Sequence, residues 1–101
     1  MHGKTELVAR VQSPPTDDGT RWELSYYVTA YKSESTKEYY GLRAEKASEG
    51  KILDQEETPA FTESHDEAVT MAKAFADGTV TPFTLLEMTD EWLSVPALIP
   101  I

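Results

Sequence analysis

Residues 61–93, FTESHDEAVTMAKAFADGTVTPFTLLEMTDEWL, decide how this chain folds. Ser64 is followed three residues later by Glu67, which is the pattern of a capping box. In a capping box the hydroxyl accepts the backbone N–H of the acid, and the acid bonds back to the cap residue. Thr84 and Glu87 repeat the pattern. The stretch therefore predicts two short helices, each beginning at its own cap.

The apolar residues of this stretch recur at helical spacing, which predicts one buried stripe on each helix. We expect Gly78 to end the first helix in the left-handed conformation that glycine adopts without strain. Pro96 is expected to stop the second helix shortly after Ser94. The stripe residues are Ala68, Val69, Ala72, Phe75 and Ala76 in the first helix and Leu85, Met88, Trp92 and Leu93 in the second.

The preceding part of the chain alternates apolar and polar residues with a period of two, which is typical of strands with one buried face. Strands are predicted over residues 4–13, 21–32, 37–47 and 51–57. The last is the weakest and the most acidic, which suits an edge position. Because strands come first and helices follow, the predicted fold class is α+β, with a four-stranded antiparallel meander (β-β-β-β) and two short helices packed on one face.

The alternation also assigns side chains to the two faces of the sheet. In the first strand Leu7, Ala9 and Val11 are expected to point inward, and Val8 interrupts the pattern. Gly41 is expected to point outward, where a glycine marks a bulge or the close approach of a neighbour. The other inward residues are Trp22, Leu24, Tyr26, Val28, Ala30, Tyr40, Leu42 and Ala44.

The length of 101 residues fits one domain, predicted over residues 1–94, with an apolar C-terminal tail at 95–101. The net charge is −9, and residues 48–101 carry the whole surplus, with eleven acids against two lysines. An acidic surface disfavours nucleic acid, because binding to phosphates needs basic groups that release counterions. The charge is compatible with a solvated surface or with a basic partner.

The chain contains no cysteine, so disulfides, thiolate nucleophiles and cysteine-ligated zinc are excluded. The N-terminal MHGKTELVAR lacks the apolar run of a signal peptide. No segment approaches the roughly 20 apolar residues of a membrane-spanning helix. We therefore expect a cytoplasmic protein without membrane contact.

Ser64, His65 and Asp66 carry the three side chains of a hydrolase triad, but adjacent residues at a helix start point in different directions. The capping pattern accounts for the serine and the aspartate. His65 and His2 have no further ligands at a spacing that suits a metal. The sequence therefore predicts no catalytic residues, no metal site and no cofactor, and hence no enzyme.

Two surfaces have less obvious structural roles. Tyr27, Tyr31, Tyr39 and Arg43 are predicted to share the outward sheet face, close to Val8 and Arg10 of the first strand. Tyrosine and arginine are enriched in protein interfaces. The apolar tail is the second surface, since exposed apolar segments tend to become contacts, either by folding back over the chain's own sheet or by crossing to a second copy. Its candidate interaction residues are Leu98, Ile99 and Ile101.

The chain also resembles a small uncharacterised bacterial family, a domain of unknown function found mainly in spore-forming Firmicutes. The motifs that carry the resemblance are Ser25-Tyr26-Tyr27-Val28, Tyr40-Gly41-Leu42, Val80-Thr81-Pro82-Phe83-Thr84-Leu85 and Glu91-Trp92-Leu93. The likeness spans about residues 23–93, with Asp90 one place earlier than the family's usual aspartate. The resemblance implies a bacterial source and the predicted fold, and it implies no activity.

These observations favour a non-catalytic cytoplasmic protein-interaction or regulatory module. Its partner would be an unknown protein or a second copy of the chain, forming a homodimer. The alternative is a small-ligand-binding domain with an aromatic pocket between sheet and helices. That pocket would be lined by Trp22, Tyr26, Tyr40 and Trp92.

Overall fold

A computed structural model describes residues 3–12, 21–32, 34 and 37–94 of the chain. Four strands form one open antiparallel sheet in the order β1-β2-β3-β4, and two α-helices follow, which confirms the predicted α+β meander. β4 lies at an edge, as its acidic sequence suggests. The elements are β1 (Gly3–Gln12), β2 (Glu23–Lys32), β3 (Glu38–Ser48), β4 (Lys51–Glu57), α1 (His65–Asp77), a 3₁₀ turn (Pro82–Thr84) and α2 (Leu85–Ser94).

Both helices pack on one face of the sheet, and the core lies between the two layers. Tyr26 is 2% exposed and donates its hydroxyl to the carbonyl of Val80 at 2.6 Å, which ties the central strand to the connection between the helices. Met71, absent from the predicted stripe of α1, is fully buried, whereas Leu93 is 41% exposed. The buried core comprises Leu24, Tyr26, Val28, Leu42, Ala44, Ala68, Met71, Ala72, Phe75, Ala76, Val80 and Leu85.

A β-bulge in β1 corrects the predicted inward face of that strand. Leu7 pairs with Tyr27, but the next paired residue is Ala9, opposite Tyr26, so one extra residue is inserted between them. Such an insertion exchanges the two faces of the strand on one side of the bulge. Leu7 therefore lies on the outward face, while Val8 packs against the core instead of joining the outward tyrosines.

The start of α1 follows the predicted cap in part. The hydroxyl of Ser64 accepts the backbone N–H of Glu67 at 3.1 Å. The return bond of a capping box is replaced, because the N–H of Ser64 donates to the hydroxyl of Thr62 at 3.0 Å. The second predicted box is wrong: the hydroxyl of Thr84 bonds to the carbonyl of Thr81, since the chain is already helical from Pro82.

α1 ends at Asp77 with Gly78 as its C-cap, but the left-handed residue that follows the helix comes one position later than predicted. Gly78 has φ −89°, and Thr79 adopts the left-handed conformation with φ 50°. The N–H of Thr79 donates to the carbonyl of Ala76, and the N–H of Val80 donates to the carbonyl of Phe75. This pair of bonds is a Schellman motif with threonine at the position that usually holds glycine. Gly78 therefore ends α1 as predicted, but the prediction that it adopts the left-handed conformation is wrong.

Gly41 fulfils its predicted role as a point of close approach. Beyond β4 the chain continues beside β3, with the N–H of Thr58 donating to the carbonyl of Leu42 at 2.8 Å. A Cβ atom at Gly41 would lie 2.8 Å from the carbonyl oxygen of Pro59 and 2.9 Å from the hydroxyl of Thr58. Only glycine leaves room for the chain to cross here.

Candidate interaction surface on the open sheet face

The sheet face opposite the helices, here called the open face, carries the predicted tyrosines. The β2–β3 register places Tyr31 directly opposite Tyr39 and Tyr27 directly opposite Arg43. Leu7 of β1 adjoins Tyr27, and Glu57 of β4 adjoins Arg43, so one row of side chains crosses all four strands. Within the described residues, no helix packs on this face.

Arg43 is the centre of a hydrogen-bonded network on the open face. Its Nε donates to Glu45 at 2.8 Å, and its Nη1 donates to Glu57 at 3.2 Å. Its Nη2 donates to Gln55. The guanidinium therefore holds side chains from β3 and β4 in fixed positions, in the planar geometry that suits arginine better than lysine.

Two of the tyrosines join this network through their hydroxyl groups. Tyr27 donates to Glu45 at 3.3 Å, and Tyr31 donates to Glu57 at 3.4 Å. Each carboxylate thus accepts one bond from Arg43 and one from a tyrosine. The cluster contains one cation and two carboxylates, so it keeps a local surplus of negative charge.

The electrostatics of the network keep Arg43 charged. The hydrogen bond that Arg43 donates to Glu45 raises the pKa of the guanidinium, as do the charges of Glu45 and Glu57, while burial opposes the rise. The side chain of Arg43 is 22% exposed, so solvent still reaches it. The network is therefore a partly buried ion cluster at the surface of the sheet.

Exposed apolar side chains border the network. Leu7 is 46% exposed and lies beside Tyr27, and Ile52 is 55% exposed and pairs with Ala47 of β3. Tyr27, Tyr31 and Tyr39 are partly buried. The open face therefore combines aromatic, aliphatic and charged groups in one layer.

Residues 7–95 match the sequence pattern of a family of unknown function. The chain belongs to DUF6514. The match covers most of the chain and includes every described element except the first residues of β1. No curated protein and no solved structure matches the sequence.

In this DUF6514 chain, His65 of the Ser64-His65-Asp66 run joins α1 to the sheet. The Nε2 atom of His65 lies 2.7 Å from Glu6 of β1, and its ring contacts Tyr40 edge-on at 5.4 Å. Ser64 caps α1, as described above. Ser64 and His65 thus engage different partners, while the carboxylate of the exposed Asp66 lies 3.9 Å from Nδ1 of His65. The bond to Glu6 raises the pKa of His65 above its usual value of 6.5.

The four aromatic residues predicted to line a ligand pocket lie in different surroundings. Tyr26 is in the core, where burial raises its pKa to about 12. Trp92 contacts Phe75 edge-on at 5.9 Å, and Trp22 lies beneath the ammonium group of Lys46. A small-ligand function stays a prediction.

One cavity, of about 510 Å³, lies at the end of the sheet and is partly lined by Trp22. It falls between the start of β2 and the β3–β4 turn, away from the position predicted for a pocket between sheet and helices. Its lining residues are Gln12, Arg21, Trp22, Glu23, Ala47, Ser48, Glu49 and Gly50.

The predicted interaction residues of the tail are Leu98, Ile99 and Ile101. They lie outside the described residues, so their role as an interaction surface stays a prediction. In the part of the chain that the structure describes, no cluster of three or more potential metal ligands occurs. No described helix is long and apolar enough to cross a membrane.

Proposed function

We propose that this DUF6514 chain is a non-catalytic protein-interaction or regulatory module that binds a partner through its open face. The observation that carries the proposal is the row from Leu7 through Tyr27 and Arg43 to Glu57, which lies on the sheet face that neither described helix covers. Tyrosine and arginine fixed by a network lose little conformational entropy on binding, and this favours them as anchors of an interface.

The internal bonds of the open face support this function. Arg43, Glu45 and Glu57 hold one another in a single arrangement before any partner arrives. Surfaces that are ordered in advance bind more tightly, because the cost of immobilising their side chains has already been met during folding. The bordering residues Leu7 and Ile52 offer apolar area that a partner would bury.

We place this module in the bacterial cytoplasm, in spore-forming Firmicutes. The absence of cysteine fits a reducing compartment, and the resemblance of the motifs to a family of these bacteria supports the source. The partner is another protein, or a second copy in a homodimer. Nucleic acid and membrane are disfavoured by the net charge of −9, since phosphate-rich surfaces repel acidic proteins.

The proposal is tested by capturing partners of the tagged chain from its native host. We expect the wild type to retain one defined protein, and the double variant Tyr31→Thr, Tyr39→Thr to retain it at least about tenfold less, because aromatic anchors dominate interface energies. Threonine preserves strand propensity, so the sheet should remain intact.

The matched control is Phe83→Ser, which removes an aromatic ring that is 85% exposed on the helical layer. This variant should capture as much partner as the wild type. Loss of capture in Phe83→Ser, with full capture by the tyrosine variant, would assign binding to the helical layer and refute the proposal. Circular dichroism of all three proteins verifies that each is folded.

A further inference from the structure

We propose that the partner of the open face is a basic protein segment, which places an arginine or lysine side chain beside the carboxylates of Glu45 and Glu57, which Arg43 bridges, and against the tyrosine rings. This inference rests on the proposed function and specifies its partner class. It follows from the charge balance, the unused hydrogen-bonding capacity and the aromatic content of the face.

The charge balance of the network leaves room for a second cation. Arg43 neutralises one of the two carboxylates, and the other negative charge is not matched within the cluster. Glu45 and Glu57 have side chains that are 17% and 36% exposed, so an incoming group can reach them. Opposite charges brought together at a partly desolvated surface attract more strongly than in bulk water.

The carboxylates also retain acceptor capacity. Each of the four oxygen atoms of Glu45 and Glu57 accepts one hydrogen bond, from Arg43 or from a tyrosine hydroxyl. A carboxylate offers about four acceptor positions, so the described residues occupy about half of them. Guanidinium and ammonium groups are donors only, and they form the strongest bonds of this kind with carboxylates.

The tyrosines complete a surface suited to cations. Tyr27 and Tyr31 direct their hydroxyls at the carboxylates, and Tyr39 lies opposite Tyr31. A cation placed over an aromatic ring gains about 0.5–1 kcal/mol at exposed sites. The aliphatic stem of arginine or lysine would pack on apolar groups such as Leu7, as such stems do on other protein surfaces.

A second copy of the chain fits this surface less well than a basic partner. In a two-fold symmetric contact each patch meets the same patch, so the surplus carboxylates of both copies would approach each other. The net charge of −9 adds repulsion between copies. The same charge attracts a basic partner over distance and raises its association rate.

The experiment uses the full chain, labelled with ¹⁵N, and the peptide acetyl-GRGRGRG-amide as the probe, at physiological ionic strength. We expect amide shifts centred on Tyr27, Tyr31 and Arg43, and no shifts with the same peptide carrying glutamine in place of arginine. Shifts centred on α2, or equal shifts with both peptides, would overturn the proposal.

Charge-matched variants separate the site from the general field of the protein. Glu45→Gln with Glu57→Gln should weaken peptide binding about tenfold, because both charged acceptors are lost. Glu87→Gln with Glu91→Gln removes the same charge from exposed positions of α2 and should leave binding within about twofold. Equal weakening by both pairs would overturn the proposal.

A third variant tests the proposal even if the protein with Glu45→Gln and Glu57→Gln does not fold. Arg43→Gln frees both carboxylates from their internal cation, so it should bind the peptide several-fold more tightly than the wild type. Weaker peptide binding by a folded Arg43→Gln protein would contradict the proposed binding site at Glu45 and Glu57.

The two proposals fail in distinguishable ways. If the partner captured by the wild type is lost from the tyrosine variant while arginine peptides do not bind, the open face is an interface and its basic partner class is wrong. If that variant still captures the partner, the proposed function itself fails. A stable dimer in light scattering, dissociated by the tyrosine substitutions, would replace the basic partner with a second copy.

Discussion

At the scale of single residues, two described non-glycine residues adopt a left-handed φ, Glu49 and Thr79, and Thr79 is the costlier of the two because it is β-branched. Its φ of 50° places a β-branched residue in the left-handed region. Side chains there are costly because Cβ approaches the following carbonyl oxygen, by about 1–2 kcal/mol. The Schellman bonds that end α1 and the burial of Val80 hold the residue in place.

Replacing Thr79 with glycine should therefore stabilise the fold. We expect Thr79→Gly to raise the free energy of unfolding by about 0.5–1 kcal/mol, after allowance for the greater flexibility of glycine in the unfolded chain. Urea denaturation measures the change. Gly78→Ala is the control at the neighbouring glycine. The φ of −89° at Gly78 suits alanine, and a Cβ atom there would approach other atoms no closer than 3.7 Å. If Thr79→Gly is less stable than the wild type, the backbone at Thr79 is not strained.

Two buried threonines on the sheet give a second comparison at this scale. Thr29 is 2% exposed, and within the described structure its hydroxyl has no hydrogen-bond partner. Thr58 is 3% exposed, and its hydroxyl accepts the N–H of Leu42 and donates to the carbonyl of Pro59, each at 2.9 Å. The two side chains are similarly buried, but among the described residues only the hydroxyl of Thr58 has hydrogen-bond partners.

Valine substitutions should thus have opposite effects at these positions. Valine has nearly the same shape as threonine, so Thr29→Val removes the unsatisfied hydroxyl at little cost in packing. It should stabilise the protein by about 1 kcal/mol. Thr58→Val leaves the N–H of Leu42 without that partner and should destabilise it by about 1–3 kcal/mol. Thermal unfolding compares both with the wild type. Destabilisation by Thr29→Val would show that its hydroxyl is satisfied.

At the scale of elements, the contact between Glu6 of β1 and His65 at the start of α1 responds to pH. The bond raises the pKa of His65 above 6.5 in the folded state. Its contribution to stability is therefore fully present below pH 6.5 and declines as pH rises through the higher, folded value. The other charged groups nearby are Asp66, 3.9 Å from the ring, and the exposed Lys37–Glu63 pair.

We expect Glu6→Gln to lower the pKa of His65 and to remove this part of the pH dependence. The difference in unfolding free energy between wild type and Glu6→Gln should be larger at pH 5.5 than at pH 8.5. An NMR titration of the His65 ring, with urea denaturation at both pH values, checks the prediction. An unchanged pKa in the variant would show that the contact is absent in solution.

The elements themselves could be predicted from periodicity, while their local irregularities could not. Strand alternation and two apolar stripes gave the meander and both helices with bounds close to those observed. The bulge in β1 depends on one inserted residue, and the extra apolar Val8 was its only sign. The left-handed residue after α1 was misplaced by one position because the tertiary burial of Val80 outweighed the preference for glycine there.

The candidate site, too, could be predicted only in part from the sequence pattern. Alternation placed Tyr27, Tyr31, Tyr39 and Arg43 on one face, and the β2–β3 register brings them together. Glu45 alternates with Arg43 and could have been included from β3 alone. Glu57 and Gln55 could not, because their positions depend on the β3–β4 pairing, which is shifted by a bulge at Lys46/Ala47.

At the scale of the whole molecule, the two faces of the sheet differ in what they contain. The helix-covered face contains the core, and the open face contains a fixed, charged and aromatic network that is not needed to fill that core. A two-layer α+β domain can bury one sheet face with its own helices and leave the other available. The central claim is that this available face binds the partner.

Photocrosslinking in the native host tests that claim most directly. The photoreactive residue p-benzoylphenylalanine replaces Tyr31 on the open face or, as the control, exposed Thr70 on α1. We predict a discrete covalent adduct with another protein from position 31 and none from position 70. An adduct from position 70 with none from position 31, in two folded proteins, would contradict the account.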